Sequence, residues 1–413
     1  MKRSQLFTKT QKDISKETAS INHQLLVRAG FVDQLQSGVY TFLPMGLKVL
    51  RRIENIVREK MIKIGGQEIL MPSLQPKLNW EKTGRWKSMD DLFRFTSYYT
   101  KIELALGPTH EEVVAPLAKK FVLSYKDLPV YLFQIQTKFR DELRAKSGLL
   151  RAREFSMKDL YSFHADEKDL NYYYEKAKRA YYELYDELGI GEKTYLTYAS
   201  GGTFSKYSHE FQTISRAGED IIFICDKCNI AINKEIIKEQ NKCPQCKQKD
   251  FREEKAIEVG NIFKLGTKYS DPFGLKYADK EGKLKPVIMG CYGFGPARVM
   301  GTIVEVNHDN DGIIWPKEVS PFDVYLINFP ETQKAAEEIY KNLIEKGIDV
   351  LWDDRDISPS EKLKDADLIG VPKRLVISKK TLEKESAEFK RRDEEKVSFL
   401  KIKSIASYIS SML

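Results

Sequence analysis

Strand-forming runs that are not separated by a regular succession of helices constrain this chain more than any other feature. KIELALG (101–107), VYLFQIQTKF (130–139), AIEVGNIFKLG (256–266) and PVIMGCYGFG (286–295) carry β-branched and aromatic residues suited to a pleated, half-buried surface. A parallel pair of strands needs a long crossover, usually a helix, whereas antiparallel neighbours do not. The pattern predicts an α+β protein with a largely antiparallel sheet and helices packed around it, and excludes the usual dinucleotide-binding fold.

Helical stripes flank these strands. Residues 47–64 place Leu47, Leu50, Ile53, Val57, Met61 and Ile64 on one face, closed by Gly65 and Gly66. EILMPSLQP then reads as a strand that cannot continue past Pro72. Residues 166–188 align Leu170, Tyr174, Ala177, Tyr181, Leu184 and Leu188, with Gly189 as the stop; aromatics at this spacing read as core and boundary rather than a base-stacking surface. From Pro321 the rhythm changes to an alternating βαβαβ pattern with a final strand and helix, over VYLINF, 331–346, DVLWDD, 360–369, RLVISKK and KVSFLKI. We place a boundary near Val319, after DNDGIIWPKE, giving domains at 1–319 and 320–413; a chain of 413 residues is too long for one ordinary domain.

Lys and Arg number 68 against 60 Asp and Glu, a formal charge of +8 that permits a polyanionic partner without requiring one. The opening MKRSQLFTKTQKDISKE has no apolar leader run and no stretch approaches a membrane span, so the expectation is a cytoplasmic protein with no membrane association. Cysteine usage agrees, because Cys225-x2-Cys228 and Cys243-x2-Cys246 fall in one short segment rather than in a dispersed disulfide framework. Two such pairs have zinc-ribbon spacing: four thiolates can close a tetrahedral site with no open position, which makes the metal structural. A stub whose thiols hold no metal is the alternative.

FRDELRAKSGLLRAREF (139–155) concentrates arginines between two phenylalanines. If the runs on either side of AKSG are paired strands, Arg140 and Glu142 share one direction, as do Arg151, Arg153 and Phe155. Guanidinium forks match phosphate oxygens and an aromatic ring can stack on a purine, so an adenine nucleotide is a natural occupant. A solvated hairpin with cross-strand ion pairs is the bland alternative.

FRDE followed by RAREF resembles motif 2 of the class II aminoacyl-tRNA synthetases. The helix-strand segment ending at Pro72 is similar to their motif 1, the usual dimer interface, and GCYGFGPARVMGTIVE (290–305) to their motif 3. Within the class, HQLLVRAG, SGVYTFLPMGLKVL, LGPTHEEV, QIQTKFRDE, REFSMKDLYSFH, SHEF, EVGNIFKLGTKYS and MGCYGFGPARV, then DDRD and DADLIGVPKR, resemble the blocks of the bacterial-type prolyl-tRNA synthetases. The resemblance covers nearly the whole chain. It implies a homodimeric ligase with an antiparallel catalytic sheet and a C-terminal α/β anticodon-binding domain, using ATP, Mg²⁺ and L-proline to charge tRNA(Pro).

The resemblance also implies roles. Arg140 would hold the α-phosphate and the proline carboxylate, Phe155 would stack on adenine, and Arg298 would cover its other face and reach the γ-phosphate. Glu142 and Arg151 would complete the ATP site. Thr109 and Glu111 would meet the secondary ammonium of proline, a strong discriminator because an unpaired buried carboxylate is costly. His209, Glu258 and Cys291 would wall the proline pocket; read alone, His209 could equally satisfy a loop, and Cys291 could be a small buried hydrophobe. In the C-terminal domain Asp354, Arg355 and Lys364 fall in the segment that resembles the anticodon reader. That segment departs from the family at Pro359-Ser360-Glu361, where glycine is frequent.

A second departure lies between motifs 2 and 3, where many bacterial relatives carry a large editing insertion. Here residues 221–254 hold only the cysteine segment, and about thirty residues are too few for an ordinary folded editing domain. The expectation is therefore no editing in cis. Rival readings are a threonyl enzyme, which would use zinc in its amino-acid pocket, and a non-catalytic RNA-binding paralogue, which would have lost the motif arginines.

Overall fold

The helical stripe after Leu43 begins at a proline and closes at the glycine pair. A computed structural model describes residues 1–11 and 20–412. In it helix α1 spans Pro44–Lys63, with Gly65 beyond its end at φ +98°. Val49, Ile53, Val57 and Met61 are fully buried, whereas Leu47, counted in the stripe, is 42% exposed. The chain divides into two compact units, residues 36–39 with 53–302 and residues 1–35, 40–52 and 303–413.

In the first unit the run after Gly66 forms only the short strand β1 (Gln67–Glu68), parallel to β2 (Val130–Phe139). EILMP does not continue as a strand because the Met71 N–H turns to Gln134 Oε1 at 3.0 Å. Helix α2 is Glu111–Ala118. Strand β2 pairs antiparallel with β3 (Glu154–His164) through ten residues, Val130 opposite Phe163 to Phe139 opposite Glu154. Arg140, Glu142, Arg151 and Arg153 therefore lie in the connection, around a 3₁₀ turn at Gly148–Leu150, and not on the ribbon itself. This corrects the alternation argument: their directions are set by loop hydrogen bonds.

Helix α3 (Glu167–Glu187) is capped by the Asp166 carboxylate, which accepts from Asp169 N at 2.8 Å. Strands β4 (Thr194–Ser200), β5 (Tyr207–Ile214), β6 (Asp220–Cys225), β7 (Ile230–Asn233), β8 (Arg252–Gly266) and β9 (Ile288–Phe294) follow, and helix α4 (Pro296–Val306) begins where β9 ends. The sheet order is β5-β4-β7-β6-β8-β9-β3-β2-β1, with β5 also pairing with β8. Only β7 with β4 and β1 with β2 run parallel, so the sheet is antiparallel at its centre as expected. Tyr173, Tyr174, Tyr181 and Tyr185 of α3 are all buried against it. Gly260 permits this: a Cβ there would stand 2.4 Å from the Tyr185 hydroxyl.

In the second unit β10 (Val324–Asn328), helix α5 (Gln333–Glu345), β11 (Val350–Asp353), helix α6 (Pro359–Ile369) and β12 (Lys373–Ile377) give the expected alternation. A strand the pattern missed, β13 (Ser386–Arg391), precedes β14 (Val397–Lys401) and helix α7 (Ile405–Ser410). Its charges hide the alternation, in which Ala387 and Phe389 are the buried members. The order is β11-β10-β12-β13-β14, parallel through the first three and antiparallel after.

The N-terminal segment belongs to this second unit. The Met1 amino group donates to Val350 O at 2.7 Å, Lys2 bridges Trp352, and Asn22 N donates to Glu305 at 2.8 Å. The boundary placed near Val319 thus differs from the division by contacts, which falls at 302/303 and takes residues 1–35 with the C-terminal part. Among the described residues no helix is long and apolar enough to cross a membrane.

Candidate active site

The site of the first unit is assembled around the turn Gly107–Glu111. Gly107 is required by space, since a Cβ would meet Gln75 Nε2 at 2.2 Å, and that amide donates to Thr109 O at 2.9 Å. His110 is fully buried; its Nδ1 lies 2.7 Å from Lys138 Nζ and its Nε2 3.1 Å from Pro72 O. Lys138 is in turn paired with Asp159 at 2.9 Å, and Asp159 accepts from Gln134 at 3.0 Å. Burial first, then the Lys138 charge, push His110 down to about 4, so the imidazole is neutral and carries its proton on Nε2.

That framework aims Thr109 and Glu111 inward. The Thr109 hydroxyl donates to Glu111 Oε2, while Glu111 Oε1 is buried without a hydrogen-bond partner. Arg85 supports the carboxylates from behind, 3.0 Å from Glu112 and 3.6 Å from Glu111, with its guanidinium over Phe204 at 4.9 Å and Trp80 at 5.1 Å. Burial alone would lower the pKa of Arg85, but Glu112, Tyr269 and Glu111 together outweigh it and raise it. Cys291 stands beside Glu111, and burial together with that carboxylate holds its thiol well above the ordinary value. It is a protonated wall residue rather than a nucleophile.

Thr109, Glu111, Arg140, Glu142, Phe155, Glu258, Cys291 and Arg298 all line one cavity of about 310 Å³. The Arg140 guanidinium lies over the Phe155 ring at 5.3 Å. Burial and the nearby Arg298 charge both lower its pKa, a cost that an arriving anion would relieve. Arg298, in the first turn of α4, pairs with Glu258 Oε2 at 3.1 Å. Arg151 lines an adjoining cleft with Arg140 and Arg298, held by Glu142 at 2.7 Å and Glu219 at 2.8 Å. Arg153 turns away from the cavity and donates to Glu142 O and Ser37 O.

His209 is not in this cavity. It points to the α3 side of β5, sharing a 2.7 Å hydrogen bond with Tyr174 and meeting the Tyr198 ring edge-on at 4.5 Å. Strand alternation puts its neighbour Glu210 in the cavity instead. His209 therefore does not wall this cavity, and from within β5 it meets a helix tyrosine rather than satisfying a loop. Glu210 was missed, as were Arg85, Lys138 and Asp159. Glu210 accepts from Gln212 at 2.8 Å, Asn233 at 3.2 Å and Asn261 at 3.2 Å, and Asn261 also donates to Glu258 at 3.0 Å. Burial, then the Glu258 charge, raise the Glu210 pKa well above the carboxylate range.

Cys225, Cys228, Cys243 and Cys246 converge, with all four sulfurs within 4.8 Å of one another and Cys225 Sγ 3.6 Å from Cys246 Sγ. A tetrahedral ion with sulfur at about 2.3 Å sets the sulfurs about 3.8 Å apart, so the thiols fit zinc. Burial alone would raise the Cys243 thiol, but the backbone N–H groups of Cys246 and Gln245 outweigh it and bring it to about 7.

In the second unit Asp354 accepts from Ser4 N and Oγ at 2.9 and 2.6 Å. Arg355 is bound by Asp353 at 2.6 Å and Asp365 at 2.8 Å, and with Lys364 it lines a cleft of about 850 Å³. Pro359 takes the first position of α6 and Ser358 caps it, so the residues that replace glycine here start a helix.

This fold and this cavity are those of a class II aminoacyl-tRNA synthetase. The family model described as tRNA synthetase class II core domain (G, H, P, S and T) matches residues 93–307, and an anticodon binding domain model matches residues 323–412. The proline–tRNA ligase of Dehalococcoides mccartyi (strain CBDB1) is 32% identical over 561 positions, covering 99% of this chain and 98% of that protein. That of Ehrlichia chaffeensis is 39% identical over 412 positions, covering 95% and 96%. Among solved structures, prolyl-tRNA synthetase from Cryptosporidium parvum, complexed with L-proline and AMP, shares the fold at a TM-score of 0.77 and 20% identity, over 95% of this chain and 74% of that one. The chain belongs to the proline–tRNA ligase family.

Proposed function

We propose that this chain activates L-proline with ATP to prolyl-adenylate and passes the prolyl group to the 3′ end of tRNA(Pro). The observation that carries the reading is one cavity with opposite chemistries at its ends. Glu111 offers a buried, unpartnered carboxylate oxygen where a secondary ammonium would sit, and Arg140, Arg298 and the Phe155 ring offer anion and base contacts. The proline carboxylate is already an ionised nucleophile, so no catalytic base is needed. It attacks the α-phosphorus in line, pyrophosphate leaves, and Arg140 stabilises the charge that builds on the phosphate oxygens.

Mg²⁺ suits the same end of the cavity, because it takes one or two carboxylates together with substrate phosphates, and Glu142, Glu210 and Glu258 are carboxylates there. When bound, the ion would neutralise phosphate charge. The four cysteines hold a structural zinc. The threonyl alternative loses support, since among the described residues the one metal-fitting group of His, Cys, Asp or Glu side chains is this thiol cluster, none of which lines the cavity.

Residues 1–319 act as the catalytic part and 320–413 as the anticodon-binding part, with Asp354, Arg355 and Lys364 facing the anticodon once their present partners are exchanged. The protein works as a cytoplasmic homodimer through its motif 1 segment. It has no editing activity in cis: the alignment with the Dehalococcoides relative runs over 561 positions, well beyond the 413 residues of this chain, while that with the Ehrlichia relative runs over 412. Proline-dependent ATP–pyrophosphate exchange tests the central reading. Folded protein that binds ATP and gives no exchange with proline would refute it.

A further inference from the structure

Asn233 stands at the end of β7, outside every motif that carries the family resemblance, yet its side chain reaches Glu210, which lines the cavity. Its Nδ2 donates to Glu210 Oε2 at 3.2 Å, and its Oδ1 accepts from Glu235 N at 3.2 Å. The second bond fixes which end of the amide faces Glu210. From Glu210 the hydrogen bonds continue through Asn261 to Glu258, and from Glu258 to Arg298 at 3.1 Å. Asn233, Glu210 and Gln212 are all buried, so lost donors are poorly replaced by water.

We infer that Asn233 is a positioning residue for ATP: by donating to Glu210 it holds Glu210, Asn261, Glu258 and Arg298 where they meet the nucleotide. This deepens the proposed activity and rests on the reading of the cavity as an ATP site. Glu210 sits beside the Glu258 charge, and Gln212, Asn261 and Asn233, each donating to Glu210, hold it there. The place of Asn233 is set by the cysteine knuckle. Strand β6 ends at Cys225, the Cys228 and Asn229 N–H groups both return to Cys225 O, and β7 then runs back with Asn233 opposite Ile222. The small cysteine segment thereby supports the chemistry of a cavity that it does not line.

The test uses the full chain and two substitutions, Asn233→Asp, which keeps the shape and replaces the donor by a third carboxylate, and Asn233→Ala, which removes the donor. ATP affinity is measured by calorimetry without proline, and KM for ATP and for proline by pyrophosphate exchange. Asn233→Asp is expected to weaken ATP binding about tenfold and Asn233→Ala about threefold to fivefold, with KM for proline within about twofold of the parent and metal content unchanged. ATP affinity within about twofold of the parent in both variants overturns the inference, as does an equal loss of ATP and proline affinity with a lowered melting temperature. Should Asn233→Asp not fold, Asn233→Ala decides on the same measurement. A parent that binds ATP but gives no proline-dependent exchange removes the proposed activity and leaves the Asn233 comparison standing; a parent that binds no ATP removes both.

Discussion

Lys138 Nζ lies 2.7 Å from His110 Nδ1, which ties the residue between Thr109 and Glu111 to a charge buried in the sheet. The imidazole must stay neutral to accept that hydrogen bond, and its folded pKa of about 4 lies below the ordinary value of 6.5. As pH falls through 6.5 the unfolded chain takes up a proton that the folded one refuses. The stabilisation is therefore full above 6.5 and is lost as pH falls toward 4, by up to about 3 kcal/mol. Urea unfolding at several pH values should show this, and His110→Gln, which stays neutral, should flatten the slope by up to one proton. Equal slopes for the two proteins would contradict the assignment.

Glu111→Gln keeps the shape of the pocket floor and removes the charge that meets the proline ammonium. Exchange assays should report a fall of about 100-fold or more in kcat/KM for proline, with ATP affinity by calorimetry little changed. A loss confined to ATP affinity would place Glu111 elsewhere in the reaction.

Arg140 is asked to hold charge that grows as the phosphorus is attacked, so its removal should lower kcat more than it raises KM. Arg140→Lys retains a cation without the planar fork, and a drop of about 10²-fold to 10³-fold in kcat is expected. A pre-steady-state measurement of adenylate formation separates this from slow product release. An unaltered rate of that step would remove Arg140 from the chemistry.

Elemental analysis should find about one zinc per chain. Stripping the metal under reducing conditions should lower the melting temperature and free four thiols to a colorimetric reagent. It should also weaken ATP binding, because β6 and β7 lose their closure. Metal content near zero in protein purified without chelator would leave only a vestigial thiol cluster.

Alanyl-tRNA(Pro) made by this chain should persist in its presence. Deacylation faster than in buffer, by the purified chain alone, would overturn the proposed absence of editing in cis.

Much of the cavity was legible because strand and motif residues carried it. Thr109, Glu111, Arg140, Phe155, Glu258, Cys291 and Arg298, all named from strand and motif segments, line one cavity. What was not legible shares a physical cause. Whether His209 or Glu210 faces the cavity depends on which side of β5 α3 covers, and no local signal in SHEF states that. Arg151 and Arg153 sit in a loop whose directions come from Glu142, Glu219 and Ser37, partners that spacing does not reveal. Lys138 and Asp159 occupy strand positions where charge is unexpected, and only their mutual pairing makes burial tolerable. The N-terminal segment joins the C-terminal unit through backbone bonds such as Met1 to Val350, which leave no trace in composition.

Asn233 and Glu254 both stand opposite Ile222, one on each side of β6. The polypeptide thus departs from the catalytic sheet and comes back only two strand spacings away, about 10 Å. A doorway so narrow sets no limit on the length of what hangs outside it, provided the two ends stay pinned beside β6.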